Sequence, residues 1–178
     1  MRALKIIAFT AIAAVSVAAL AAAAPVLKVT KQETINAPAD EVWAKIKNFD
    51  GLNTWHPAVE KDEIVAGKNN EVGAERLLTL KGGGTIKEKL LAYDDTRYSM
   101  RYSILEGVLP VTSYISTITV VPAGKNKSTV TWSGTFKRKD LSDKPAPDAD
   151  DKTAKKAMGG VYEAGLDNLE KIMDTRHK

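Results

Sequence analysis

Residues 150–175 constrain the fold more than any other stretch. Ala154, Met158, Val161, Gly165, Leu169 and Ile172 recur at three- and four-residue steps, so a helix made from this segment carries them on one face. Asp148, Asp150 and Asp151 sit at the end where the helix dipole favours carboxylates. Lys171, Arg176 and Lys178 sit at the end where it favours cations. Nearly everything before this helix reads as strand. One amphipathic helix after a run of strands has a single apolar surface to lie on, the face of their sheet. Gly159, Gly160 and Gly165 interrupt the pattern, each costing about 0.8–1 kcal/mol relative to Ala in a helix interior. Two explanations stand: backbone packed closely on the strands, or missing side chains that leave a cavity between helix and sheet.

Alternation and turn residues mark out the rest. Residues 27–35 alternate as a first strand. Asn36-Ala37-Pro38-Ala39-Asp40 then starts a helix in which Val42, Trp43, Ile46 and Phe49 share helical spacing. Asp50-Gly51 ends it, and Leu52-Asn53-Thr54-Trp55-His56-Pro57 forms a second short helix or turn. Strands follow at 59–65, 73–80, 85–93, 97–105, 111–121 and 128–137. Lys81-Gly82-Gly83-Gly84 makes a hairpin tip between the second and third of these. Residues 138–149, with Pro145 and Pro147, are a loop feeding the last helix. Short connections between strands imply a mainly antiparallel seven-stranded sheet with helices segregated from it, an α+β domain.

The amino terminus lies outside that domain. Met1-Arg2-Ala3-Leu4-Lys5 is a short basic segment, residues 6–20 are apolar, and Ala21 to Ala24 offer an Ala-x-Ala cleavage site. This is a secretory signal peptide over residues 1–23, leaving 24–178 as one domain. Cleavage is expected after Ala23, because Pro25 disfavours a cut after Ala24. The chain contains no Cys, which excludes a lipoprotein anchor and any disulfide. A soluble periplasmic protein without a membrane span is therefore expected. The chain has 26 basic and 22 acidic residues, and loss of Arg2 and Lys5 leaves 24 against 22. That scattered balance makes no case for nucleic acid.

The order of elements resembles the helix-grip fold of the START-like (SRPBCC) superfamily, which includes the Bet v 1 allergens and polyketide cyclases. The residues that carry the resemblance are Asn36-Ala37-Pro38-Ala39-Asp40-Glu41-Val42-Trp43, Phe49-Asp50-Gly51-Leu52 and Trp55-His56-Pro57-Ala58-Val59. Gly73-Ala74-Glu75-Arg76, Glu88-Lys89-Leu90, Leu109-Pro110-Val111, Thr131-Trp132 and Gly165-Leu166-Asp167-Asn168-Leu169 continue it. It implies a curved sheet wrapped around the long C-terminal helix. With its export signal, its Trp-His-Pro-Ala-Val stretch and no Cys, the chain is similar to the MxaD-type periplasmic proteins of methanol oxidation. That likeness implies a non-catalytic accessory role between methanol dehydrogenase and its c-type cytochrome. Two alternatives stay open: a carrier of a hydrophobic small molecule or lipid in the helix–sheet cavity, and a cyclase- or dehydratase-type enzyme.

The residues offer little for metal or redox chemistry. Two histidines, His56 and His177, and no Cys make a zinc site unsupported, and no haem-attachment, phosphate-loop or dinucleotide motif is present. No cofactor is expected. His56, placed by the resemblance at a cavity mouth, is the one group able to titrate near neutrality. It is either a general base oriented by Glu60 or another carboxylate, or a structural residue that caps the short helix or packs under Trp55. Arg76 and Glu88 fall on facing strands of one hairpin, as a buried pair or as part of a site. If the alternating strand faces look at the helix, Tyr102, Tyr114 and Trp132 meet Met158 and Tyr162. With Trp55, His56, Arg76 and Glu88 these residues line a candidate ligand cavity, and an ordinary core would use them equally well.

Overall fold

The computed structural model describes residues 23–174. The segment expected to be a signal peptide, apart from Ala23, and residues 175–178 with His177 lie outside the described residues. Strand β1 (Leu27–Ile35) leads through Pro38 into helix α1 (Ala39–Ile46), and a 3-10 turn covers Leu52–Thr54. Six strands follow: β2 (Val59–Ala66), β3 (Glu75–Leu80), β4 (Thr85–Asp94), β5 (Ser99–Gly107), β6 (Val111–Gly124) and β7 (Lys127–Arg138). The last described element is helix α2 (Asp151–Asp174). All seven strands form one antiparallel sheet in the order β1-β7-β6-β5-β4-β3-β2. This is the α+β helix-grip arrangement, with the sheet curved around α2.

Period-two patterning explains the strands. In β6, Tyr114, Ser116, Ile118 and Val120 are buried. In β7 the same is true of Val130, Trp132 and Phe136. Curvature enters where the ladder slips. Register shifts fall between Val59 and Lys61, between Leu90 and Ala92, and between Thr112 and Ile115, where Ser113 has φ 51°. Such bulges bend a strand and increase its twist, which lets the sheet close on a helix. Asn70, also at positive φ, bonds the Phe49 N–H at 2.8 Å and so fixes the end of the α1 segment to the β2–β3 loop.

Helix α2 buries Ala154, Met158, Tyr162, Gly165, Leu166, Leu169 and Met173. The buried stripe is turned slightly from the one the spacing predicts, since Val161 and Ile172 are only half-buried while Tyr162 and Leu166 are fully covered. The aromatic ring of Tyr162 decides this rotation, because it buries more area than Val161. The glycines separate into two kinds. A Cβ at Gly160 would meet nothing within 4 Å, and one at Gly159 only the end of Lys31 at 3.8 Å. One at Gly165 would lie 2.7 Å from His56 Cδ2 and 2.8 Å from Trp132 Cζ3. The cavity explanation is therefore corrected for all three: two face outward and the third marks close packing. Arg138 bonds Asp151 at 2.7 Å and the Ser142 carbonyl at 2.7 Å, tying the start of α2 to the end of β7.

Candidate functional site

The 3-10 turn and α2 hold His56 between them. Its Nδ1 accepts the Ala58 N–H at 3.2 Å, and since a backbone N–H can only donate, the proton sits on Nε2. Nε2–H then donates to the Val161 carbonyl at 2.9 Å. The ring reaches that carbonyl across Gly165, where a side chain would block it. Burial pushes the imidazole below its usual range, with the Arg76 charge adding to this against the Val161 hydrogen bond. His56 is thus a neutral, doubly bonded ring. Glu60 is exposed and takes no part in orienting it, so the carboxylate-oriented arrangement is corrected to a backbone-oriented one. His56 also lies in the interior and not at a mouth, being 4% exposed. Asn168 from α2 adds a bond to the Trp55 carbonyl at 2.8 Å, so the whole turn is fastened to the helix.

Arg76 and Glu88 face each other across the β3–β4 hairpin, as the tip at residues 81–84 requires. Nε and Nη2 of Arg76 both donate to Glu88 Oε2, at 2.8 and 2.6 Å, while Nη1 donates to the Phe49 carbonyl and to Asp62 Oδ2 at 3.3 Å. The guanidinium lies over Phe49, 4.3 Å from the ring centroid. Burial pushes the Glu88 carboxyl up, and Arg76 opposes it. Asp62 is the member of this cluster that sequence reasoning missed. Its side chain is fully buried, its Oδ1 has no partner, and burial raises its pKa to about 6 against the pull of Arg76. One cation thus faces two carboxylates.

Above the pair, five polar side chains share hydrogen bonds. Trp132 Nε1–H donates to the Tyr102 oxygen at 2.9 Å and to Ser116 Oγ at 3.0 Å. Tyr162 lies 2.7 Å from the Tyr114 hydroxyl and stacks on Trp132 with centroids 4.8 Å apart. Burial raises the pKa of Tyr162 to about 12 and those of Tyr102 and Tyr114 further, so all three remain protonated donors. A side chain at Gly134 would collide with the Tyr162 hydroxyl, which explains the missing Cβ at that inward position of β7.

Between these layers remains a cavity of about 70 Å³. Of the nine residues proposed to line a cavity, His56, Glu88, Tyr102, Tyr114, Trp132 and Met158 border it. Trp55, Arg76 and Tyr162 stand behind that wall. The remaining wall includes Leu52, Val59, Leu78, Ile86 and Leu109, which the spacing did not single out, with Ile104 and Val161. Ile104, Leu109 and Tyr114 also border an open groove of about 620 Å³ at the β5–β6 loop, and so form the partition between interior and surface. Leu105, Val108 and Leu141 are exposed around that groove. Among the described residues no group of three or more His, Asp or Glu side chains is placed to hold a metal ion, and no helix is long and apolar enough to cross a membrane.

Comparison with known proteins places this architecture. The chain is similar to the protein XoxI of Bacillus cereus, at 30% identity over 85% of this chain and 98% of that one, with a TM-score of 0.73. It is similar to an uncharacterised protein of Bacillus thuringiensis at 31% identity over 83% and 98%, with a TM-score of 0.72. The Zhui aromatase/cyclase of Streptomyces sp. R1128 shares the fold at 19% identity over 86% and 97%, with a TM-score of 0.73. No curated protein sequence matches the chain. Residues 26–174 match the family described as polyketide cyclase / dehydrase and lipid transport, and with nearly the whole described chain covered, this protein belongs to that family of helix-grip domains.

Proposed function

We propose that the protein binds a small hydrophobic molecule in the cavity between sheet and helix and acts as a carrier. The observation that carries this reading is the cavity of about 70 Å³, walled mainly by aliphatic and aromatic side chains with few polar groups among them. Ile104, Leu109 and Tyr114 border both this cavity and the open groove, which supports entry from that side. Native mass spectrometry of the purified protein, followed by extraction and identification of co-purified small molecules, tests it. A bound apolar compound is expected. Reproducibly empty protein that also fails to take up apolar probes would overturn it.

A finer role rests on other features. With residues 1–23 as a cleaved leader, the carrier would work in the periplasm, and an accessory role in methanol oxidation is then the second reading. The exposed Leu105, Val108 and Leu141 support it, because they offer an apolar contact surface beside the groove. Its test is the rate of electron transfer from methanol dehydrogenase to its c-type cytochrome with and without the protein. An unchanged rate and no binding would dispose of it. The cyclase or dehydratase reading is weakened at His56, whose Nδ1 lone pair already accepts the Ala58 N–H and is not free to take a substrate proton.

A further inference from the structure

The wall of the cavity contains one carboxylate that the protein uses only by half. Both hydrogen bonds to Glu88 end on Oε2, leaving Oε1 with none. The described side-chain atoms that are both sealed from space and unpartnered are Asp62 Oδ1, Ser128 Oγ and Arg138 Nε. Glu88 Oε1 is not one of them, and Glu88 is the carboxylate residue in the cavity wall. Tyr102 lies diagonally across the β4–β5 ladder from Glu88 and borders the same cavity. Its oxygen accepts the Trp132 N–H, and its own proton can rotate.

We propose that the cavity selects a small neutral alcohol whose O–H donates to Glu88 Oε1; this rests on the carrier reading and gives its ligand a chemical class. The count of polar groups excludes the neighbouring classes. An ammonium group has three N–H donors and would find one free carboxylate oxygen among apolar walls, leaving buried donors unsatisfied. A carboxylate ligand would meet the like charge of Glu88 in a medium that screens it poorly. A ketone or ether presents only an acceptor to an acceptor. A hydroxyl brings one donor for Glu88 and can still accept, with the Tyr102 proton at the same wall.

Size narrows the class further. An engineered apolar cavity of about 150 Å³ takes benzene. About 70 Å³ is roughly half of that, room for an alcohol of about three to four heavy atoms without movement of the walls.

The test titrates the protein with propan-2-ol, acetone and xenon while following the methyl signals of Leu78, Ile86 and Ile104 by NMR. Propan-2-ol and acetone share a heavy-atom skeleton and differ in the donor. Propan-2-ol is expected to shift these signals and to bind at least tenfold more tightly than acetone. Equal affinities, with xenon entering, would overturn the alcohol assignment and leave the carrier reading standing. If none of the three, xenon included, shifts the signals, both fall. In Glu88→Gln, the amide oxygen keeps the Arg76 bonds and the NH₂ turns to the cavity, so the preference is expected to pass to acetone. Retention of the alcohol preference in a folded Glu88→Gln protein would also overturn the assignment. Should that variant not fold, the comparison in the unaltered protein decides alone.

Discussion

Two glycines five residues apart in one helix, Gly160 and Gly165, give opposite answers to the same substitution. Gly160→Ala adds a methyl group that meets nothing within 4 Å, so it gains the helix propensity alone, about 0.8–1 kcal/mol. Gly165→Ala gains the same propensity and pays in contact. Its Cβ would fall 2.7 Å from the His56 ring and 2.8 Å from the Trp132 ring. Neither ring can swing aside cheaply. His56 is held at both nitrogens, and Trp132 is hydrogen-bonded at Nε1 and stacked on Tyr162. Overpacking of this kind costs about 1–3 kcal/mol. The two variants should therefore differ by about 1–3 kcal/mol, with Gly160→Ala the more stable and above the parent. Urea denaturation followed by Trp fluorescence measures this, provided the m-values agree. Equal stabilities would refute the claim that helix and turn meet here in rigid contact.

Four further outcomes follow from the buried charges and hydroxyls. Asp62, raised from 3.8 to about 6, binds its proton more tightly folded than unfolded, so the stability it confers is complete below about pH 4 and lost as pH rises through 6. Asp62→Asn should remove that loss, raising stability at pH 8 by about 1–3 kcal/mol and leaving pH 4 unchanged, as denaturation at the two pH values will read. His56 slopes the other way: its lowered pKa means stability is lost as pH falls below the unfolded value of 6.5, and His56→Gln should flatten that limb of the same curve. Arg76→Met strands two buried carboxylates and should destabilise the fold by about 3–5 kcal/mol in chemical denaturation. Tyr162→Phe leaves the buried Tyr114 hydroxyl without its 2.7 Å partner and should cost about 1–3 kcal/mol, measured the same way.

The strands were legible because their alternation is regular and their turns carry Gly, Pro, Asn or Asp. The prediction of 27–35 coincides with β1, and most other ends move by one to three residues. Arg76 and Glu88 were legible as a facing pair because each lies six residues from Gly82 at the hairpin tip. Asp62 was hidden by a bulge. Strict alternation from Val59 would turn Lys61 inward, and the register shift between those two residues turns Asp62 inward instead. The hold on His56 was hidden for another reason. Its partners are the backbone groups of Ala58 and Val161, which no residue type announces. The cavity depends on how side chains from six strands, the 3-10 turn and one helix fail to fill a space, and spacing along the chain carries no record of that.

The strand order sets the timetable of folding. Strand β1 pairs with β7, so Thr30 sits opposite Ser133 and the two ends of the sheet's sequence are neighbours in space. Every other ladder joins strands that follow each other in the chain. The meander from β2 to β7 can zip by successive short closures, whereas β1 must wait for about a hundred residues to be looped out. Helix α2 lies across the same late junction, since Lys31 of β1 bonds Glu163 of α2 at 2.7 Å. A ribosome emitting this chain therefore releases a first strand with nothing to join until residues 127–138 have emerged. Pulse-labelled hydrogen exchange during refolding should show the amides of β1 protected after those of β4 and β5.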